Sequence, residues 1–176
     1  IARVLGDVPV ISSEGRAFPV DVLYRPLFRN ARMVDHVTAV VLEALGDQAG
    51  SVLVFLPGAG EIRRVAQQLA GQLPDNVVLA PLYGNLKADE QDRAIAPAPD
   101  GSRKVVLATA IAETSLTIEG VRVVVDAGQQ RRAVFDPNSG MTRLITGRVS
   151  KASAEQRKGR AGRVEPGVCY RVWSES

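Results

Sequence analysis

Four short runs in this sequence are apolar, or nearly so, and do not alternate with polar residues. They lie at residues 52–56, 77–80, 105–108 and 121–125. A strand with one face in water alternates between apolar and polar side chains, whereas a strand buried on both faces does not. The four runs are therefore typical of strands in a parallel sheet that helices cover on both sides.

The segments between these runs carry apolar residues at helical spacing. Two such stripes are Val34, Val37, Val41 and Leu45, and Ile62, Val65, Ala66 and Leu69. Each stripe ends just before a glycine, which is typical of a helix end. Because strand and helix alternate along the chain, we predict one α/β domain over residues 1–176, with a central, mostly parallel sheet.

Three further segments add strands to this prediction. Residues 20–24 alternate ahead of a proline, and residues 168–173 are mostly apolar. Residues 131–135 and 141–146 flank a run of turn-forming residues, which predicts a protruding β-hairpin at about 129–149.

The charge of the chain is unevenly distributed. The formal net charge is +3, but residues 129–163 contain nine basic and two acidic side chains, a net +7, which leaves −4 for the rest. A basic stretch on an otherwise acidic domain indicates an anionic partner. A solvated arginine-rich face is an equally good explanation of charge alone.

Several classes of protein are disfavoured by composition. The chain has one cysteine, Cys169, and one histidine, His36, so it can form no internal disulfide and offers no zinc ligand set. We therefore predict no metal site. Because no apolar run approaches the roughly 20 residues that span a bilayer, we expect no membrane partner and a cytoplasmic location.

Polar residues and glycines follow two of the predicted strands. A turn at 57–61 contains Gly58, whose backbone could approach a phosphate, although the same residues make an ordinary strand-to-helix turn. Residues 109–118 hold four hydroxyls and one carboxylate, which suit phosphate oxygens but also suit a helix cap. The chain contains no GxxxxGK[ST] phosphate-binding loop.

The most informative stretch is QRKGRAGR at 156–163. Ser153 and Gln156 have the spacing of a capping box, which predicts a helix start there. Helical spacing places Gln156, Arg160 and Arg163 on one face, while Arg157 and Lys158 point elsewhere. The small residues between them would let that face press against a ligand or another domain, and guanidinium groups match phosphate oxygens.

Four motifs in order resemble the second RecA-like domain of a DEAH-box superfamily 2 helicase: FLPGAGEI at 55–62, PLYGNL at 81–86, ATAIAETSLTI at 108–118 and QRKGRAGR at 156–163. The opening at 13–26 is similar to the bacterial HrpB group of that family. The resemblance spans essentially the whole chain. It implies the C-terminal motor domain of an ATP-dependent RNA helicase, with the first RecA-like domain and the accessory domains absent.

The resemblance also implies roles for individual residues. Gln156, Arg160 and Arg163 would act on the ATP γ-phosphate as the catalytic set. The implied ATP-binding residues are Glu113, Thr117, Asp126 and Ile95. The implied nucleic-acid-binding residues are Gly58, Asn85, Thr109, Arg131, Arg132 and Arg143, the three arginines lying on the hairpin implicated in strand separation.

Cofactors and partners follow from the same resemblance. ATP would bind with Mg²⁺, whose ligands are expected on the first RecA-like domain, so the chain alone should not hydrolyse ATP. The expected partners are single-stranded or duplex RNA and that first domain in cis. Ala110 replaces the family's asparagine, and Ile95 stands where relatives place an aromatic residue. A DNA-directed helicase and a non-catalytic nucleic-acid-binding module remain alternatives.

Overall fold

The centre of the molecule is a six-stranded sheet in which neighbouring strands are parallel. The computed structural model describes residues 18–27, 32–83, 86–114, 117–163 and 165–174. The sheet strands are β1 (Val20–Tyr24), β2 (Ser51–Phe55), β3 (Val77–Leu82), β4 (Arg103–Ala108), β5 (Val121–Asp126) and β8 (Gly167–Arg171). They are ordered β1-β8-β5-β2-β4-β3, so β2 and β5 lie in the interior of the sheet.

Helices cover both faces of this sheet. They are α1 (Met33–Asp47), α2 (Ala59–Leu69), α3 (Ala88–Ile95), α4 (Ile111–Thr114) and α5 (Lys151–Gly159), which continues into a 3₁₀ turn at Arg160–Gly162. Side chains of β2 alternate between the layers: Val52 and Val54 pack with α1 and α2, whereas Leu53 and Phe55 pack with α3, α4 and the 3₁₀ turn. The predicted three-layer α/β fold is confirmed.

The helical stripes read from the sequence face the sheet. Val37, Val41 and Leu45 of α1 are buried, as are Ile62, Val65 and Leu69 of α2. Both stripes belong to one apolar cluster with the first sheet layer. Burying each such aliphatic side chain contributes about 1.5–3 kcal/mol, which holds the two helices against the sheet.

The predicted hairpin is present as an antiparallel pair, β6 (Gln129–Asp136) and β7 (Met141–Arg148). Its turn is closed by Asp136, whose carboxylate accepts hydrogen bonds from the Asn138 N–H at 3.0 Å and the Ser139 hydroxyl at 3.1 Å. Gly140 completes the turn with φ +71°, a value that favours glycine. Phe135 and Leu144 are 61% and 69% exposed, so the hairpin stands away from the core.

Cys169 lies in β8 and is buried, and burial raises the pKa of its thiol to about 12. Among the described helices, none is both long and apolar enough to cross a bilayer.

Candidate functional site

Three of the predicted site residues meet at the carboxyl edge of the sheet. In the strand register, Phe55 at the end of β2 lies beside Ala108 at the end of β4 and beside Asp126 at the end of β5. Gly58 lies three residues after the end of β2, and Thr109 directly follows β4. This edge is where open α/β sheets bind ligands, because loops and helix N-termini converge there.

Helix α5 begins three residues earlier than the sequence predicted. Its N-cap is Ser150, whose hydroxyl oxygen accepts a hydrogen bond from the Ser153 N–H at 3.0 Å. Ser153 therefore lies inside the helix, and the predicted capping box from Ser153 to Gln156 is wrong. Both serines have the chemistry of a cap, and the position of the chain after the hairpin decides between them.

The structure brings Gln156, Arg160 and Arg163 together. They line one open surface depression of about 560 Å³, along with Ala152, Glu155 and Gly159. Gln156 comes from α5, Arg160 from the 3₁₀ turn and Arg163 from the residue that follows it. The change from α-helix to 3₁₀ turn does not separate the three side chains.

Arg160 is held in place by the backbone of α4. Its Nε donates to the Glu113 carbonyl oxygen at 2.6 Å, and its Nη2 donates to the same oxygen. Burial lowers the pKa of Arg160, and the positive charge of Arg163 lowers it further. Two adjacent guanidinium groups on an open depression favour an anion, because an anion relieves their mutual repulsion.

Arg157 is a key residue for which the motifs predicted no role. It is fully buried and forms ion pairs with Glu113 and Asp126, each at 2.8 Å. Its guanidinium also donates to the Gln129 carbonyl at 3.3 Å and lies 4.8 Å from the Phe55 ring centroid. Arg157 thus joins α5 to α4, to the end of β5 and to the root of the hairpin.

The sequence carries only a partial signal for the burial of Arg157. Ala154 and Ala161, three residues before and four residues after it, share its side of the helix, and both are buried. Lys158 has the same two alanines four residues before and three residues after it and is only half-buried, so this spacing alone does not select Arg157. The helical spacing of the basic residues predicted only that Arg157 points away from the face that carries Gln156, Arg160 and Arg163.

The two acidic residues expected near ATP have internal partners. Asp126 is fully buried, and one carboxylate oxygen binds Arg157 and the Gly128 N–H, the latter at 2.8 Å. Burial raises the pKa of Asp126, and the charge of Arg157 opposes that rise. Asp126 has no exposed surface in this structure, and its role toward ATP stays a prediction. Glu113 is connected to the depression through its backbone carbonyl oxygen, which accepts a hydrogen bond from Arg160.

Two other predicted ATP-binding residues lie apart from the arginines that line the depression. Thr117 is exposed beyond α4, next to residues 115 and 116, which lie outside the described part of the chain. Ile95 ends α3 and packs, half-buried, against the apolar cluster that includes Ile118. Their roles toward a nucleotide stay predictions.

Two of the three small residues of this segment, Ala161 and Gly162, serve internal packing, whereas the sequence suggested that all three leave room for a ligand or another domain. Ala161 is fully buried. A Cβ at Gly162 would lie 2.5 Å from the Phe18 carbonyl oxygen and 2.7 Å from Val20 Cγ2. Gly162 is therefore required so that the 3₁₀ turn can pack against β1. Gly159, in contrast, has open space around it.

The predicted nucleic-acid residues divide into two groups. Arg132 and Arg143 are exposed on the hairpin. Gly58 is buried under the guanidinium of Arg131, and Thr109, which directly follows β4, is half-buried. Asn85 lies outside the described residues. Their contacts with nucleic acid stay predictions.

A larger depression of about 780 Å³ lies between the hairpin root and the ends of β1 and β8. Its lining includes Tyr24, Arg148, Arg171 and Trp173. None of the residues predicted from the motifs lines it.

The fold defines a RecA-like α/β domain, and two guanidinium groups line an open depression on it. The family described as the helicase conserved C-terminal domain matches residues 34–165, and the chain belongs to this family. It is 56% identical over 168 residues to the ATP-dependent RNA helicase HrpB of Escherichia coli strain K12, a match that covers 96% of the chain.

A more distant relative and a solved structure indicate the same family. The chain is 42% identical over 176 residues, 96% of its length, to the pre-mRNA-splicing factor ATP-dependent RNA helicase prp22 of Schizosaccharomyces pombe. It superimposes on the crystal structure of the E. coli DExH-box NTPase HrpB with a TM-score of 0.88 and 55% identity, covering 99% of this chain. The resemblance to the HrpB group is confirmed.

These relatives are much longer than this chain. It spans 21% of the E. coli helicase and 15% of the S. pombe one, and 22% of the chain in the crystal structure.

Proposed function

We propose that this chain is the second motor domain of an ATP-dependent RNA helicase and that Gln156, Arg160 and Arg163 act on ATP held by another domain. The observation that carries the proposal is the pair of guanidinium groups on one open depression, with Arg160 fixed by the Glu113 carbonyl. The names of the relatives supply the reaction and the nucleic acid.

The two arginines have different roles in this proposal. Arg160 already uses two N–H groups on Glu113, so it is a preoriented contact for the γ-phosphate. Arg163 is exposed and reaches into the cleft when the two motor domains close. An arginine finger acts by stabilising the charge of the transferring phosphoryl group, and it needs no chemistry of its own. Gln156 adds an amide donor beside them.

The nucleotide would bind with Mg²⁺ on the first motor domain, which supplies the phosphate-binding loop that this sequence lacks. The residues here fit the phosphate end of such a ligand, because they offer guanidinium and amide donors. Thr117 and Ile95 remain proposed contacts, and Glu113 acts through its carbonyl. The chain alone is expected to be inactive.

The nucleic-acid strand would cross the carboxyl edge and the hairpin. Gly58, Asn85 and Thr109 would contact the backbone at the edge, and Arg131, Arg132 and Arg143 would contact it along the hairpin that separates strands. Such contacts go mostly to phosphates, so they give affinity without sequence preference.

The proposal is tested with R163A in the full-length enzyme. Removal of an arginine finger is expected to lower RNA-stimulated ATPase by about 10³-fold or more. RNA affinity should be nearly unchanged, because Arg163 faces the nucleotide. The control is R93A, which removes an exposed arginine of α3 that pairs only loosely with Asp89, at 3.7 Å. ATPase at the wild-type rate in R163A would refute the arginine-finger role.

The alternatives are separated by one comparison on the same enzyme. ATPase stimulated by RNA and not by a matched DNA strand supports the RNA helicase. Stronger stimulation by DNA would indicate a DNA-directed helicase. Nucleic-acid binding with no ATPase under any condition would indicate a non-catalytic module.

A further inference from the structure

Arg157 connects three parts of the molecule that are far apart along the chain. Its Nε donates to Glu113 Oε2 of α4 at 2.8 Å, and its Nη1 donates to Asp126 Oδ1 at 2.8 Å and to the Gln129 carbonyl oxygen at 3.3 Å. Asp126 ends β5, and Gln129 begins the hairpin. One fully buried guanidinium therefore bridges α4, the edge of the sheet and the hairpin.

Glu113 is bound at both ends by arginines of one segment. Arg157 pairs with its carboxylate, and Arg160 donates to its main-chain carbonyl oxygen at 2.6 Å. Helix α4 has only four residues, and a helix this short is not stable without tertiary contacts. The position of the Glu113 carbonyl therefore depends on the ion pair with Arg157. Because that carbonyl orients Arg160, Arg157 acts on Arg160 through Glu113.

The other edge of the Arg157 guanidinium is bound to the hairpin root, where Gly128 and Val149 meet. Asp126 Oδ1, which accepts from Arg157, also accepts a hydrogen bond from the Gly128 N–H at 2.8 Å. The Gly128 carbonyl oxygen in turn accepts a hydrogen bond from the Val149 N–H at 3.0 Å. A movement of the hairpin root therefore changes the bonds of Arg157, directly at Gln129 and indirectly through Asp126.

This buried cluster has one unused donor and one unused acceptor. Arg157 Nη2 and Asp126 Oδ2 are both buried, and neither has a hydrogen-bond partner within the part of the chain that the structure describes. A buried network in which every group is satisfied holds a single arrangement. An unused donor and an unused acceptor in one ion pair allow hydrogen bonds to be exchanged while the charges stay paired. The cluster can therefore rearrange when the hairpin root moves.

We propose that Arg157 is a positioning residue that makes the orientation of Arg160 depend on the hairpin root. Arg157 is fully buried, so it acts through Glu113 and not on the nucleotide itself. A strand that binds along the hairpin shifts its root, and the shift reaches Arg160 through the bonds of Arg157. This inference rests on the proposed function, and it adds a role for a residue to which neither the motifs nor the relatives assign one.

The test compares R157K with the wild type in the full-length enzyme, by ATPase with and without a single-stranded oligouridylate. Lysine keeps the charge, but one ammonium group cannot replace the fork that binds Glu113 and Asp126 together. Misplacing a catalytic group by about 1 Å costs about 10²-fold in rate, and we expect a loss of that order in the RNA-stimulated kcat. The rate without RNA should fall less, so the ratio of stimulated to unstimulated rate decreases. The KM for ATP should stay close to the wild-type value, because an arginine finger acts in the transition state.

E113Q tests the same link from its other end. It keeps the main-chain carbonyl that binds Arg160 and removes only the charge that pairs with Arg157, so the ratio should decrease to a smaller extent. The double variant R157K/E113Q should be no worse than R157K, because both substitutions break one link. The matched control is E43Q, which removes a carboxylate that pairs with Arg25 at 2.7 Å. Glu43 lies on α1, on the opposite face of the sheet from α4, and its removal should leave the ratio unchanged.

An unchanged ratio in both R157K and E113Q would overturn the inference. Equal losses of the stimulated and unstimulated rates would also overturn it, because they indicate only a smaller folded fraction, and so would additive losses in the double variant. If R157K does not fold, the ratio in E113Q decides. The proposed function fails in a different way, through ATPase at the wild-type rate in R163A.

Discussion

The hairpin and helix α5 with its 3₁₀ turn belong to one basic stretch, residues 129–163, but their arginines have opposite surroundings. In α5, Arg157 is fully buried between two carboxylates. On the hairpin, Arg132 and Arg143 are exposed. The net charge of +7 therefore mixes charge that holds the domain together with charge available to a partner.

The physical reason for this difference is solvation. An exposed arginine keeps its hydration and costs the fold little, whereas a buried arginine needs partners that replace water. Arg157 has Glu113, Asp126 and the Phe55 ring for this purpose. Arg160 lies between the extremes, since it is bound to Glu113 on one edge and lines the open depression.

The strongest test of this comparison removes the buried charge. R157A leaves Glu113 and Asp126 without their partner, and breaking a buried ion pair in this way costs about 3–5 kcal/mol. Urea unfolding of the purified chain, followed by circular dichroism, measures the decrease in stability. R132A on the hairpin is the control, with an expected change within about 0.5 kcal/mol. Equal stability of the two variants would contradict the division into buried and exposed arginines.

A second test concerns the glycines next to the arginines. G162A forces a Cβ against the Phe18 carbonyl and Val20, and such overpacking costs about 1–3 kcal/mol. G159A is the matched control, because Gly159 is helical with φ −60° and open space around it. Alanine there is expected to stabilise the chain by up to about 1 kcal/mol. The same unfolding measurement separates the two, and a harmless G162A would refute the packing role.

The smallest expected effect on stability is on the exposed face of the hairpin. R132Q/R143Q should change the free energy of unfolding by less than about 1 kcal/mol, as two surface substitutions do. In the full-length protein it should lower the salt-dependence slope of single-strand binding by about 1.4, or 0.7 for each phosphate that is no longer neutralised. An unchanged slope would show that this face does not contact the strand.

Much of the fold was predictable because its signals are local. The run at 52–56 became β2 at Ser51–Phe55, and the turn at 136–140 became the hairpin turn between β6 and β7. The predicted start of α5 was wrong because Ser150 and Ser153 are equally suitable as N-cap residues. The burial of Asp126 was not predicted, because a carboxylate at a strand end does not reveal whether a buried arginine lies next to it.

The candidate site was predictable only in part, because some of its contacts join residues that are far apart in the sequence. The grouping of Gln156, Arg160 and Arg163 followed from helical spacing, and the structure places all three on one depression. The role of Arg157 and the cover that Arg131 forms over Gly58 depend on residues far away in the sequence, and no spacing rule relates them.

The sequence by itself determined the sheet strands, helices α1 and α2, the hairpin and the shared face of Gln156, Arg160 and Arg163, because apolar periodicity, turn residues and helical spacing act over a few neighbouring residues. Only the tertiary structure decided which arginines are bound internally. Arg157 pairs with residues that lie 44 and 31 positions away in the sequence, and Arg131 pairs with Glu61, 70 positions away. Ion pairing depends on distance in space and on shielding from water, and the packed sheet sets both.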